Sequence, residues 1–226
     1  MLKAIIFDFD GVIADTEPIH LEAFKIVLND HGIVMTDEQY FNKYLAYDDK
    51  TLFEKIFTDN GSEITENIIN QLIEEKHILI TELFSKHVAI FPGIDDFIKR
   101  SAEKYTLAIA SGALKSEIEF ILKKYSLDNY FQSITSADEV LNCKPDPEPF
   151  LKALKKINSN NDEIKASDCL VLEDSVYGIE AAKTAGLKCV AVTNSYERGL
   201  LYGADLVVDD YNELKAEIIE GLFSSD

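Results

Sequence analysis

Five short apolar runs, residues 2–7, 106–110, 169–173, 188–193 and 206–208, recur along this chain. Stretches such as TLAIAS, CLVLED, CVAVTN and DLVV lack the polar alternation of a sheet with one wet face. They suit strands covered on both sides, hence a parallel sheet. Helical spacing fills the gaps, with Ile118, Ile121, Leu122 and Tyr125, then Phe150, Leu151, Leu154 and Ile157. Strand and helix alternating through 92–226 predict a doubly wound, Rossmann-like α/β core. Residues 16–88 carry helical periodicities alone: Ile19, Ala23, Phe24 and Val27 up to Gly32, then 37–46, 50–58 and 64–85. The first strand is thus separated from its sheet by an inserted helical block. The expected organisation is an α/β core of residues 1–15 and 89–226 with a helical cap domain of 16–88 over the end of the first strand. Phe41, Tyr44, Phe53 and Phe57 are read as the small core of that cap.

Open parallel sheets bind ligands at the carboxyl ends of their strands. Chemistry is therefore to be sought in the residues just beyond each run. The first run ends in Asp8, with Asp10 two residues on and a turn at Gly11; TLAIA ends in Ser111-Gly112. The segment SITSADEV leads to Lys144 in CKPDPEPF, and CLVLEDS ends in Glu173-Asp174. Acids this close repel unless a cation or shared protons relieve them. Asp8, Glu173 and Asp174, with the carbonyl of Asp10, make a hard oxygen set suited to Mg²⁺. A carboxylate so held can attack phosphorus. Lys144 would offset phosphoryl charge, and Ser111, with the amides of Gly112 and Ala113 at a helix start, would hold phosphate oxygens. Asp10, facing away from Asp8, is placed to move the proton.

DFDGVIADTEP, SGA, KPDPEPF and LEDSVYGIEAAKTAG, in this order, resemble the four motifs of the haloacid dehalogenase-like hydrolase superfamily. The helical block is similar to the small cap of the subfamily that includes β-phosphoglucomutase and phosphoglycolate phosphatase. The resemblance implies an aspartyl-phosphate mechanism, with Asp8 as nucleophile and Mg²⁺ ligand. It makes Asp10 the acid/base with its carbonyl on the metal, and Ser111 and Lys144 the phosphoryl ligands. Asp174, with Glu173 close by, completes the metal site. An acid at position 10 sets the chain apart from true dehalogenases and phosphonate-cleaving relatives. A mutase must hold a second phosphate, and the Gly and Arg usual in the β-phosphoglucomutase-like cap are missing from KYLAYDDKTLF. The expected activity is therefore a phosphomonoester phosphatase acting on a small phosphorylated metabolite. A sugar-phosphate mutase is the alternative, with a catalytically inactive regulatory protein behind it. His20, Lys50 and Lys76 are the cap residues that could meet substrate; His20 also reads simply as a partly buried cap histidine.

A formal net charge of −19 argues against nucleic acid and anionic membranes as partners. Cys143, Cys169 and Cys189 form no CxxC pair, and the last two sit in apolar runs, so reduced thiols are expected. No apolar run approaches the ~18 residues of a membrane span, and the start has no signal-peptide layout. A cytoplasmic protein is expected, monomeric by default.

Overall fold

The computed structural model describes residues 1–45, 47–160 and 163–224. The chain divides into two compact units, Met1–Asp15 with Ala89–Asp226, and Thr16–Val88.

The strands of the first unit are β1 (Ala4–Phe7), β2 (Ala14–Asp15), β3 (Ala89–Ile90), β4 (Thr106–Ala110), β5 (Ser133–Thr135), β6 (Cys169–Glu173), β7 (Lys188–Val192) and β8 (Leu206–Val208). Six of them form one parallel sheet in the order β5-β4-β1-β6-β7-β8, while β2 and β3 pair antiparallel in a separate ribbon. Both neighbours of β1 are strands from much later in the chain, and every side chain of Ala4–Phe7 is buried, as in a central strand covered on both faces. Ala4 and Ile6 pack with Ala108, Val171, Phe150, Ala153 and Ile179 on one face. Phe7 packs edge-on against Phe97 and Phe131 at centroid distances of 6.0 and 5.6 Å. The fold is the doubly wound α/β class read from the unalternating apolar runs. Strand order reverses on either side of β1, so the crevice of such a sheet opens at the carboxyl ends of β4, β1 and β6.

The second unit contains α1 (Glu17–Asp30), α2 (Asp37–Gln39, continuing as a π-turn over Tyr40–Tyr44), α3 (Asp49–Asp59) and α4 (Glu66–His87). Thr36, Asp48 and Thr65 each cap a helix by accepting a backbone amide at the third position. Its core joins Phe24, Val27, Leu28, Tyr44, Leu52, Phe53, Ile56 and Leu72, with Phe57 packed at the margin. Phe41 is half exposed and belongs to the surface, contrary to the sequence reading, because the π-turn rotates it outward beside buried Tyr40 and Tyr44. The remaining helices of the first unit are α5 (Ile94–Ala102), α6 (Lys115–Lys124), α7 (Glu148–Ile157), α8 (Val176–Thr184) and α9 (Ala216–Gly221). No helix among the described residues is long and apolar enough to cross a membrane.

Candidate active site

β1 delivers Asp8 to the sheet edge. Its hydrogen-bond ladder runs one residue past the strand, with the Asp8 amide donating to Leu172 O at 2.9 Å. Asp8 as a residue is only 8% exposed. At the end of neighbouring β6, Glu173 is fully buried and Asp174 nearly so. Oxygens of Asp8, Glu173 and Asp174 lie within 4.8 Å of one another.

Lys144 reaches this cluster from the loop before α7. Its Nζ stands 2.8 Å from Asp8 Oδ1 and 2.6 Å from Glu173 Oε1, and 4.9 Å from the centre of the Phe150 ring. Burial alone would lower the Lys144 pKa. The charges of Asp8 and Glu173 outweigh it and hold the ammonium above the usual lysine range.

One ammonium does not balance the acids around it. Burial first, then Glu173 and Asp10, push the Asp8 carboxyl up to about 7 against the pull of Lys144. Asp174 is pushed well above the carboxylate range by burial, then by Glu173 and Asp8. A divalent cation among these oxygens would offset their mutual repulsion, and the donor set is the all-oxygen kind that hard cations take. The backbone also makes room for it. At Gly11, with φ +74°, a Cβ would fall 1.9 Å from Asp174 Oδ2, so only glycine lets the turn pass that close. The residues present fit a metal ion.

Residues 5–192 match the model of the haloacid dehalogenase-like hydrolases. The chain belongs to that family. It is an enzyme, a haloacid dehalogenase-like hydrolase. A phosphorylated carbohydrates phosphatase of Thermotoga maritima is 30% identical over 187 residues, 83% of either chain. A beta-phosphoglucomutase of Bacillus subtilis is 27% identical over 225 residues, 96% of this chain and 94% of that one. The crystal structure of CbbY from Rhodobacter sphaeroides in complex with phosphate is similar with a TM-score of 0.83 at 26% identity, covering 95% of this chain and 96% of that one.

Within this haloacid dehalogenase-like core, Ser111 follows β4, buried, with its Oγ 3.3 Å from Asp10 Oδ2. That places Asp10 beside Ser111, while Asp8 faces Lys144. The Ala113 amide is not free as the sequence suggested. It donates to Ser111 Oγ at 3.0 Å, because a turn separates Ser111 from α6, which begins only at Lys115. Gly112 has open space where a Cβ would stand. Glu173, grouped with the metal ligands in the sequence reading, lies in the same oxygen cluster and also holds Lys144. Its Oε1 holds Lys144, and its Oε2 accepts from the amides of Asp174 and Ser175 at 3.0 Å and from Ser175 Oγ at 2.9 Å. Glu173 thus fixes the lysine while keeping an oxygen within 4.8 Å of those of Asp8 and Asp174.

In the helical unit, His20 packs edge-on to Phe84 at 5.9 Å, and burial followed by the charge of Lys76 keeps its pKa well below the usual value. Lys76 is buried, 2.5 Å from Asp49 Oδ1 and 3.9 Å from the centre of the Phe24 ring. Lys50 points elsewhere, pairing with Glu66 at 3.1 Å on an open groove of about 730 Å³ that Glu54 and Glu63 also line. Acids thus surround Lys50 in that groove.

Four supporting residues escaped the sequence reading. A Cβ at Gly178 would fall 1.8 Å from Glu173 Oε1, so this glycine makes room for the carboxylate that holds Lys144. The Ser195 side chain hydrogen-bonds Asp174. Asn194 donates to Gly11 O at 2.7 Å, and the Tyr211 hydroxyl donates to Val12 O. The glycine stood inside a quoted motif, and Asn194 ended an apolar run. Nothing in the sequence marked Tyr211.

Proposed function

We propose that this chain is a Mg²⁺-dependent phosphomonoester phosphatase working through an aspartyl-phosphate on Asp8. The observation that carries the reading is the buried Asp8 carboxylate, paired with Lys144 at 2.8 Å and crowded by Asp174 and Glu173. Asp8, Asp174 and the carbonyl of Asp10 would hold the metal, which when bound neutralises phosphoryl and carboxylate charge. Lys144 and Ser111, with the backbone at Gly112, hold phosphoryl oxygens in line with Asp8. An Asp8 oxygen forms the new bond to phosphorus as the ester P–O bond breaks, and Asp10 delivers a proton to the departing oxygen. Water then attacks the phosphoryl-aspartate, Asp10 takes its proton, and inorganic phosphate leaves with Asp8 regenerated. The helical unit 16–88 is read as the cap that selects substrate. The phosphorylated-carbohydrate phosphatase among the relatives supports a sugar phosphate as substrate class.

A mutase is the second reading, favoured by the likeness to a beta-phosphoglucomutase. Against it, Lys43, Lys50 and Lys76 are each paired with a carboxylate of their own unit, Asp59, Glu66 and Asp49. A second phosphate would have to displace these partners. The test is phosphate release from sugar phosphates with Mg²⁺, after chelation, and with Asp8→Asn. Wild type should release phosphate, while chelation and the variant should each abolish release, a loss of at least ~10³-fold. Glucose 6-phosphate as the main product from β-glucose 1-phosphate would overturn the choice of phosphatase over mutase. Inertness of the wild type toward every ester would overturn the enzyme mechanism.

A further inference from the structure

The turn that carries Asp10 bonds several of its amides to its own carbonyls but leaves those of Gly11 and Val12 to side chains. Phe9 O accepts from Val12, Ile13 and Ala14 at 3.3, 2.8 and 3.0 Å, and the Gly11 amide donates to Ala14 O at 3.0 Å. The carbonyls of Gly11 and Val12 point the other way, to two side chains some 180 to 200 positions on in the chain. Asn194 Nδ2 reaches Gly11 O at 2.7 Å and the Tyr211 hydroxyl oxygen at 3.2 Å. The hydroxyl passes its own proton to Val12 O. The amide orientation of Asn194 is forced, since a carbonyl oxygen can only accept. Burial, with the charges of Asp174 and Asp8 adding to it, raises the Tyr211 phenol above its usual range, so it remains a donor.

Tyr211 is itself immobilised. It is 2% exposed, its ring lies 6.2 Å from that of Phe97, and Arg100 donates to its carbonyl at 3.0 Å and to Leu214 O at 3.3 Å. Packing alone would be served by phenylalanine. The hydroxyl is what links this fixed ring to the turn.

We propose that Asn194 and Tyr211 are positioning residues that lock the peptide planes of Gly11 and Val12 and thereby set the Asp10 carbonyl and carboxyl. The catalytic half of this statement rests on the phosphatase reading; the structural half does not. Neither residue touches the reacting atoms. Their effect travels through two backbone carbonyls, and a buried carbonyl left without a donor is unstable enough to reorganise a turn.

The experiment compares wild type, Tyr211→Phe, Asn194→Ala and the double variant. It reads hydrogen exchange of peptides covering 9–14, the thermal midpoint, and kcat and KM for an ester that wild type hydrolyses. Each single variant should speed exchange in 9–14 by about tenfold, as loss of its one hydrogen bond to the turn implies, with β4 and β6 unchanged. Turnover should fall about tenfold or more with KM within about twofold, as misplacement of a catalytic group predicts. The double variant should lose less than the product of the single losses, because both residues hold one turn. Wild-type exchange in 9–14 overturns the proposal, as does loosening spread equally over β4 and β6. Faster local exchange with unchanged turnover overturns its catalytic half. Should wild type hydrolyse no ester, the phosphatase reading falls, and exchange in 9–14 alone decides whether the lock exists.

Discussion

Lys144 decides the charge balance of the site, being the single ammonium within bonding distance of both Asp8 and Glu173 among the described residues. Breaking a buried ion pair from one side leaves charge without a counter-ion, which costs about 3–5 kcal/mol. Lys144→Met should lower the unfolding free energy of the metal-free protein by about that amount at pH 8. The loss should shrink toward pH 5, where the carboxyls take protons instead; urea melts at the two pH values check this, and an unchanged midpoint at pH 8 would mean a solvated lysine. His20 gives a second pH dependence of the same sense, through its own protonation. Its folded pKa lies well below 6.5, so on acidification the unfolded chain binds a proton that the folded unit refuses. Its contribution is complete above pH ~6.5 and is lost as pH falls toward the folded value. His20→Gln should flatten the fall in thermal midpoint between about pH 6.5 and 5. An unaltered slope would place the imidazole in solvent. At this scale the sequence was most informative where chemistry follows from covalent spacing, as in Asp8 with Asp10 or Glu173 with Asp174. It was silent where a residue matters through a distant partner: Gly178 yields space to Glu173, and Tyr211 reaches Val12 across most of the chain.

Among the elements, the join of β6 to α8 ties secondary structure most directly to the site. Ser175 accepts the Gly178 amide at 3.0 Å as N-cap while its hydroxyl proton goes to Glu173 Oε2. One side chain therefore starts the helix and steadies the carboxylate that holds Lys144. Ser175→Ala should cost about 1–2 kcal/mol by denaturant unfolding, at the upper end of an N-cap loss because Glu173 loses a donor as well. A cost near zero would show that water replaces both bonds. The major strands were legible because strands buried on both faces write themselves as unbroken apolar runs. Ser133–Thr135 was not, being a three-residue edge strand with polar ends, and the two-residue ribbon of β2 and β3 is too short to carry any periodicity. The π-turn of Tyr40–Tyr44 was missed for a different reason. It spaces side chains off the 3.6-residue period, which is how Phe41 reaches the surface while Tyr40 and Tyr44 stay buried.

For the molecule as a whole, the net charge of −19 opposes what the site invites. A phosphate ester approaching from solvent meets the field of 41 acids against 22 lysines and arginines before it comes within reach of Lys144. At low ionic strength that repulsion acts over tens of ångströms, whereas at 0.1 M the screening length is about 10 Å. Lys144 and a bound cation act at a few ångströms, inside the buried cluster, where salt screens little. Screening should therefore weaken the distant repulsion more than the local attraction. With Mg²⁺ kept saturating, kcat/KM for a phosphate ester should rise a few-fold between about 10 and 150 mM KCl, while kcat stays nearly constant. A steady fall over the same range would show instead that the acidic groups lie away from the approach path and that local attraction governs encounter. Steady-state kinetics on one ester at four or five salt concentrations separate the two outcomes, since only the encounter step feels the long-range field.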